Sequence, residues 1–173
     1  MYEKGLNGYE IIDGVAYEIE SAPSPNHQRM CSELNRQIAN FLYGKPAYVF
    51  GSPFEVYLLS QDKKSESLLK PDLTVICDLT KIDDKGCNGA PDLVVEVSSQ
   101  FTQRTDRLVK YQKYLEFGVK EYWIVDPDAQ LLQVFIYNKE INMFVSGMYN
   151  TSDHVPVAIL DGCVINMHDV FGA

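Results

Sequence analysis

Pro91-Asp92-Leu93-Val94-Val95-Glu96-Val97 is an apolar run interrupted by two acids. Its valines and leucine suit a buried strand. Period two along that strand puts Asp92, Val94, Glu96 and Ser98 on one face and Leu93, Val95 and Val97 on the other. A carboxylate inside such a strand is costly unless a cation meets it, and the cations at hand are a metal ion or a nearby lysine. A second run, Pro71-Asp72-Leu73-Thr74-Val75-Ile76, repeats the Pro-Asp-Leu opening and reads as another strand.

Outward from these runs the pattern alternates between helix and strand. Thr102 opens a helix that ends at Gly118, with Leu108, Tyr111 and Leu115 expected as its core stripe. Asp106, Lys110, Tyr114 and Gly118 recur at i+4 and form a second stripe beside it. Glu121-Tyr122-Trp123-Ile124-Val125-Asp126-Pro127 is the next strand. A helix between two strands predicts a crossover and a parallel pairing. Upstream, Tyr48 to about Leu59 reads as one strand with an irregularity at Gly51-Ser52-Pro53, and it carries Glu55. Gln61 to Leu69 reads as a polar loop. Before these, Asn26 is the expected cap of a helix reaching about Tyr43, with Met30, Leu34, Ile38, Phe41 and Leu42 on one face.

The ends of the chain are β-rich. Asp13-Gly14 between Tyr9–Ile12 and Val15–Ile19 predicts a hairpin with a type I′ turn. Leu131 to Tyr137 and Ile141 to Met148 predict a closing hairpin, and Val164 to Phe171 a strand or short helix. The expected architecture is α/β, in the order αβββαβ around a mixed central sheet, with extra β-hairpins at both ends. The expected organisation is one domain over residues 1–173: a hairpin extension to residue 25, a core over 26–127, and β additions over 128–173.

Composition narrows the class. Apolar residues are 46% and charged residues 23% of 173, enough apolar surface for a sizeable globular core. The net charge of -9 comes with no long basic tract, which argues against tight non-specific binding of nucleic acid but leaves a local basic groove open. Met1-Tyr2-Glu3-Lys4-Gly5 lacks a signal-peptide pattern, and no run approaches the roughly 18 apolar residues of a membrane span. Four scattered cysteines without a Cys-x-x-Cys pair read as reduced thiols, so the expected location is the cytoplasm. His27 and Cys31 lie four apart and could share a helix face as half of a metal site, with no second half-site visible in the sequence.

Glu55, Asp72 and Glu96 lie on three successive strand candidates. Acids converging from adjacent strands bind a hard divalent cation through oxygen. Such an ion polarises a phosphoryl oxygen and generates hydroxide from bound water. Lys110, pointing back from the following helix, would orient that water or offset charge in the transition state. Each residue also has a plainer reading. Asp72 and Asp92 can simply begin strands, Glu55 can be solvated, Glu96 can pair with Lys110 or Lys70, and Lys110 can be a surface lysine. Tyr114 and Trp123 read as core, and His27 as a helix-start or substrate-side residue. Ser98-Ser99 lacks the Gly-x-Ser-x-Gly context of a serine nucleophile.

Asn26-His27-Gln28, Phe54-Glu55-Val56, Pro71-Asp72-Leu73 and Ala90-Pro91-Asp92-Leu93-Val94-Val95-Glu96-Val97-Ser98-Ser99 together resemble the Uma-type family of bacterial endonucleases. The spacing Asp106-x-x-x-Lys110-x-x-x-Tyr114-x-x-x-Gly118-Val119-x-Glu121-Tyr122-Trp123-x-Val125-Asp126-Pro127 does so too. The match covers about residues 26 to 127. The resemblance implies membership of the PD-(D/E)XK nuclease superfamily, with a restriction-endonuclease-like core. It makes Asp72 similar to the first motif aspartate and Glu96 to the second motif acid. Superfamily members usually carry lysine where this chain has Ser98, and the resemblance implies that Lys110 supplies it from the helix. The expected activity is hydrolysis of DNA phosphodiesters with Mg²⁺ or Mn²⁺, held by Asp72 and Glu96 with Glu55 assisting, in a homodimer. The alternative is a catalytically silent nucleic-acid or protein interaction module that keeps the fold.

Overall fold

Asp13 and Gly14 both take positive φ, 51° and 78°, as a type I′ turn requires, and they close the hairpin of β1 (Tyr9–Ile12) and β2 (Val15–Glu18). The computed structural model describes residues 8–19, 23–60, 66–99 and 101–172. Met1–Gly5 and the first half of the expected loop from Gln61 lie outside them. Helix α1 (Pro25–Leu42) follows, capped by Ser24 rather than Asn26: the Ser24 Oγ accepts the His27 N–H at 3.1 Å. Pro25 is well placed in this first turn, where its missing N–H leaves no bond unmade.

The expected single strand over 48–59 is two strands in two different sheets. β3 (Tyr48–Gly51) and β4 (Glu55–Leu59) flank Ser52-Pro53-Phe54, where proline has no N–H to continue a ladder. β5 (Glu66–Leu69) takes up the end of the expected loop, and β6 (Leu73–Ile76), β7 (Gly86–Asn88) and β8 (Leu93–Val97) follow. A π-helical turn over Thr105–Lys110 runs into α2 (Tyr111–Phe117), which ends at Gly118 with φ 77°. Then come β9 (Glu121–Asp126), β10 (Leu131–Asn138), β11 (Met143–Asn150), β12 (His154–Pro156), β13 (Val164–Asn166) and α3 (Met167–Phe171).

The central sheet has the order β11-β10-β9-β8-β6-β3. Only β8 and β9 run parallel in it, as the crossover predicts, and the sheet is therefore mixed. A second sheet, β2-β1-β5-β4-β7, joins the N-terminal hairpin to the strands inserted between β3 and β8. With those insertions set aside, the core reads α1-β3-β6-β8-α2-β9, the expected αβββαβ order.

Period two in β8 divides the core in two. Leu93, Val95 and Val97 pack with Met30, Leu34 and Ile38 of α1 and with Met167 and Val170 of α3. Val94 packs on the other face with Tyr114, Tyr122, Ile124 and, from the second sheet, Val56, Leu58 and Leu69. Leu34 and Ile38 are wholly buried, and truncating either to Ala should cost about 2–5 kcal/mol. Glu96 lies in this second layer, between the two sheets. The helix over residues 102–118 keeps Tyr111 and Leu115 of the expected core stripe packed against the second layer, but not Leu108. Leu108 is 56% exposed, while Asp106, Lys110 and Tyr114 are buried. Asp106, Leu108 and Lys110 lie within the π-helical turn itself, whose wider spacing than an α-helix sets which of them face Glu96. No helix of the described residues is long and apolar enough to cross a membrane.

Candidate active site

The register of β6 against β8 pairs Leu73 with Val95, which brings Asp72 beside Glu96 at the end of the sheet. Asp72 Oδ2 accepts the Val97 N–H at 2.8 Å, a bond that fixes the carboxylate at the strand end. Asp72, Glu96 and Lys110 line one cleft of about 460 Å³, which also receives Glu10, His27, Cys31, Lys70 and Asp106.

Lys110 Nζ donates to Glu96 Oε1 at 3.0 Å and lies 2.8 Å from Glu10 Oε2 and 3.7 Å from Asp106 Oδ1. Tyr114 Oη donates to the same Glu96 oxygen at 3.0 Å. Asp106 Oδ2 accepts the Ser98 hydroxyl at 2.8 Å, and the Asp106 carbonyl accepts the Tyr122 hydroxyl at 3.1 Å. Ser98, the residue at the position where lysine was expected, is thus bonded to the residue one turn ahead of Lys110.

The charges decide the protonation. Burial, with Asp106, Glu10 and Asp72 close by, outweighs Lys110 and holds the Glu96 carboxyl well above the usual carboxylate range. Burial likewise raises Asp106. Burial alone would lower the Lys110 ammonium, but Glu10, Glu96 and Asp106 together hold it well above its ordinary value. Lys110 is therefore a permanent cation and hydrogen-bond donor, not a proton acceptor. The cleft gathers five carboxylates, Glu10, Glu18, Asp72, Glu96 and Asp106, all hard oxygen donors, and the buried Asp106 Oδ1 has no hydrogen-bond partner. That donor set and surplus of negative charge fit a hard divalent cation.

Glu55 is not brought into this cleft. It accepts the Tyr57 hydroxyl and lies 3.5 Å from Lys70 Nζ, on the second sheet. Asp92 faces the opposite end of β8, where Lys120 at 2.6 Å and the Cys77 N–H at 2.7 Å meet it. Ser99 Oγ accepts the N–H groups of Phe101 and Thr102, and Ser98 is bonded to Asp106; neither is set beside a histidine as a nucleophile would be. Trp123 is core, its indole N–H on Glu121. Glu10 was missed from the sequence. Its signal is an acid in register with the buried Ile12 on one face of the hairpin. Its Oε1 accepts the Lys70 N–H at 2.7 Å, so the hairpin is joined to β5 and to the cleft at once.

The fold, with acids at the ends of β6 and β8 and a lysine on the next helix, is of restriction-endonuclease-like class. The chain belongs to the Uma2 family, whose description reads "Putative restriction endonuclease" and which matches residues 2–155. It is similar to a crystal structure described as a putative nuclease belonging to DUF820, from Anabaena variabilis ATCC 29413. That likeness has a TM-score of 0.77 and 18% identity, over 98% of this chain and 93% of the other. No curated protein matches the chain.

Proposed function

We propose that the protein is a divalent-metal-dependent endonuclease that hydrolyses DNA phosphodiester bonds. The observation that carries this reading is the buried Glu96–Lys110 pair in a cleft shared with Asp72 from the adjacent strand. In this reading Asp72 and Glu96 hold Mg²⁺ or Mn²⁺, with Asp106 beside them; Glu55, engaged with Tyr57 and Lys70, takes no part. The bound ion supplies Lewis-acid activation of a phosphoryl oxygen and of water. Tyr114 and Lys110 fix the Glu96 carboxylate through one oxygen, which limits its rotation. Lys110, kept protonated by its neighbours, offers positive charge to the oxyanion that develops on the phosphoryl group. The Ser98–Asp106 bond keeps the π-helical turn against the strand, so that Lys110 serves the cleft from the helix.

DNA is the proposed partner, met by local rather than net charge, in a cytoplasmic, symmetric dimer that offers one cleft to each strand. The 173 residues act in this proposal as one domain. Plasmid incubated with the purified protein and Mn²⁺ or Mg²⁺ should be nicked or linearised, and EDTA should stop it. Intact plasmid with either ion would instead favour the silent interaction module.

A further inference from the structure

His27 and Cys31, beside Asp72 at the mouth of the cleft, have no part in a Mg²⁺ site. His27 stands in the first turn of α1 and Cys31 one turn later, so both project from one helix face. His27 Nδ1 lies 3.6 Å from Cys31 Sγ, and His27 Nε2 lies 3.2 Å from Asp72 Oδ2. One donor atom from each of the three falls within 4.8 Å of the others. The half-site on the helix thus finds its third ligand on a strand about forty residues later.

We propose that His27, Cys31 and Asp72 bind a thiophilic divalent ion of the Zn²⁺ class at the cleft. The donor set is one nitrogen, one sulfur and one oxygen, which suits borderline-soft zinc and not magnesium. A tetrahedral ion sits about 2.0–2.3 Å from each ligand, and donors held within 4.8 Å of one another are near enough to surround it. All three residues line the cleft, so solvent is at hand to supply a fourth ligand. Coordination breaks the Cys31 S–H bond, forms a sulfur–metal bond and releases the proton to solvent. Asp72 would then be shared between two chemistries, and zinc would compete with Mg²⁺ or Mn²⁺ for it. This regulatory consequence rests on the nuclease reading; the metal site itself does not.

Cobalt(II) reports on the site directly, because a cobalt–thiolate bond gives an intense near-ultraviolet charge-transfer band. The wild type titrated with Co²⁺ should develop that band at one equivalent, and Zn²⁺ should bleach it. Cys31→Ser and Cys31→Ala should lose the band, His27→Ala should weaken the binding, and Cys77→Ser should keep it. A wild type without the band, or a band that survives in a folded Cys31→Ser protein, overturns the proposal. The Co²⁺ spectrum needs no DNA, so a band that depends on Cys31 in a protein that leaves plasmid intact overturns the nuclease reading and sustains the metal site.

Discussion

Asp92 and Glu96 are four residues apart on one strand and face the same way, yet they occupy opposite electrostatic worlds. At the Asp92 end, one acid meets one lysine and one backbone N–H. Lys120, which is 62% exposed, reaches it from solvent. Although burial opposes it, Lys120 and the Cys77 N–H hold the Asp92 carboxyl below its ordinary value. At the Glu96 end, Lys110 is enclosed and shared with Glu10 and Asp106, and the Glu96 carboxyl is held high. A matched, partly solvated pair latches a strand. A crowded, dry cluster with more acids than cations stores unfavourable charge that a metal ion can relieve.

The contrast breaks most visibly in catalysis. Glu96→Ala or Lys110→Ala should lower metal-dependent cleavage by about 10²–10³-fold, measured per folded protein on plasmid. Asp92→Asn should leave the rate of folded protein unchanged. Ser98→Lys in the Lys110→Ala background should restore part of the activity, since Ser98 faces the same cluster through Asp106. Equal losses at the two ends of β8 would erase the distinction drawn between them.

Metal-induced stabilisation comes next. An ion bound only to the folded state stabilises it by about 2.7 kcal/mol at a hundred times its Kd. Melting curves with Mn²⁺ should show this shift in the wild type and in Asp92→Asn, and lack it in Asp72→Ala and Glu96→Ala. A full shift in the latter two would mean that the ion sits elsewhere.

The two acids should also answer pH with opposite sign. The depressed Asp92 contributes stability that is present above its unfolded value near 3.8 and is lost as pH falls through its lower folded value. The cost of Asp92→Asn, about 1–3 kcal/mol near neutrality, should therefore shrink in acid. The raised Glu96 makes the folded state bind a proton that the unfolded chain releases above about 4.5. Its contribution falls as pH rises from there, so metal-free Glu96→Gln should gain on the wild type over that range. Melting temperatures in EDTA from pH 4 to 8 test both, and parallel responses would break the comparison.

The smallest effect is expected at Lys113. It pairs with the partly exposed Asp13 at 2.7 Å and with Glu116 at 2.5 Å, outside the cleft. Lys113→Ala should leave the cleavage rate of folded protein intact. A loss as large as that of Lys110→Ala would show that lysines on this helix act through the fold and not through the site.

Local chemistry was legible in the chain itself. Asp13-Gly14 specifies its turn, because few other residue pairs tolerate two positive φ values. The alternation of Leu93, Val95 and Val97 with Val94 and Glu96 specifies two buried faces and an acid in one of them. The order of elements, with a helix joining β8 to β9, specifies the parallel pair. These readings rest on periodicity and turn geometry, which act over a few residues.

What tertiary structure decided lies between distant segments. Glu10 meets Lys110 across 100 positions, and Cys31 and His27 meet Asp72 across about forty. No local pattern encodes such pairings, since they exist only once two sheets and α1 enclose the cleft. The division of Tyr48–Leu59 between sheets, and the outward turn of Leu108, follow from the same cause. Leu108 has good helical spacing for a core position, yet the π-helical turn gives the buried face to Asp106 and Lys110. An isolated helix would hide leucine before lysine; here Glu96, Glu10 and Ser98 offer partners that make the buried lysine and aspartate the face that fits.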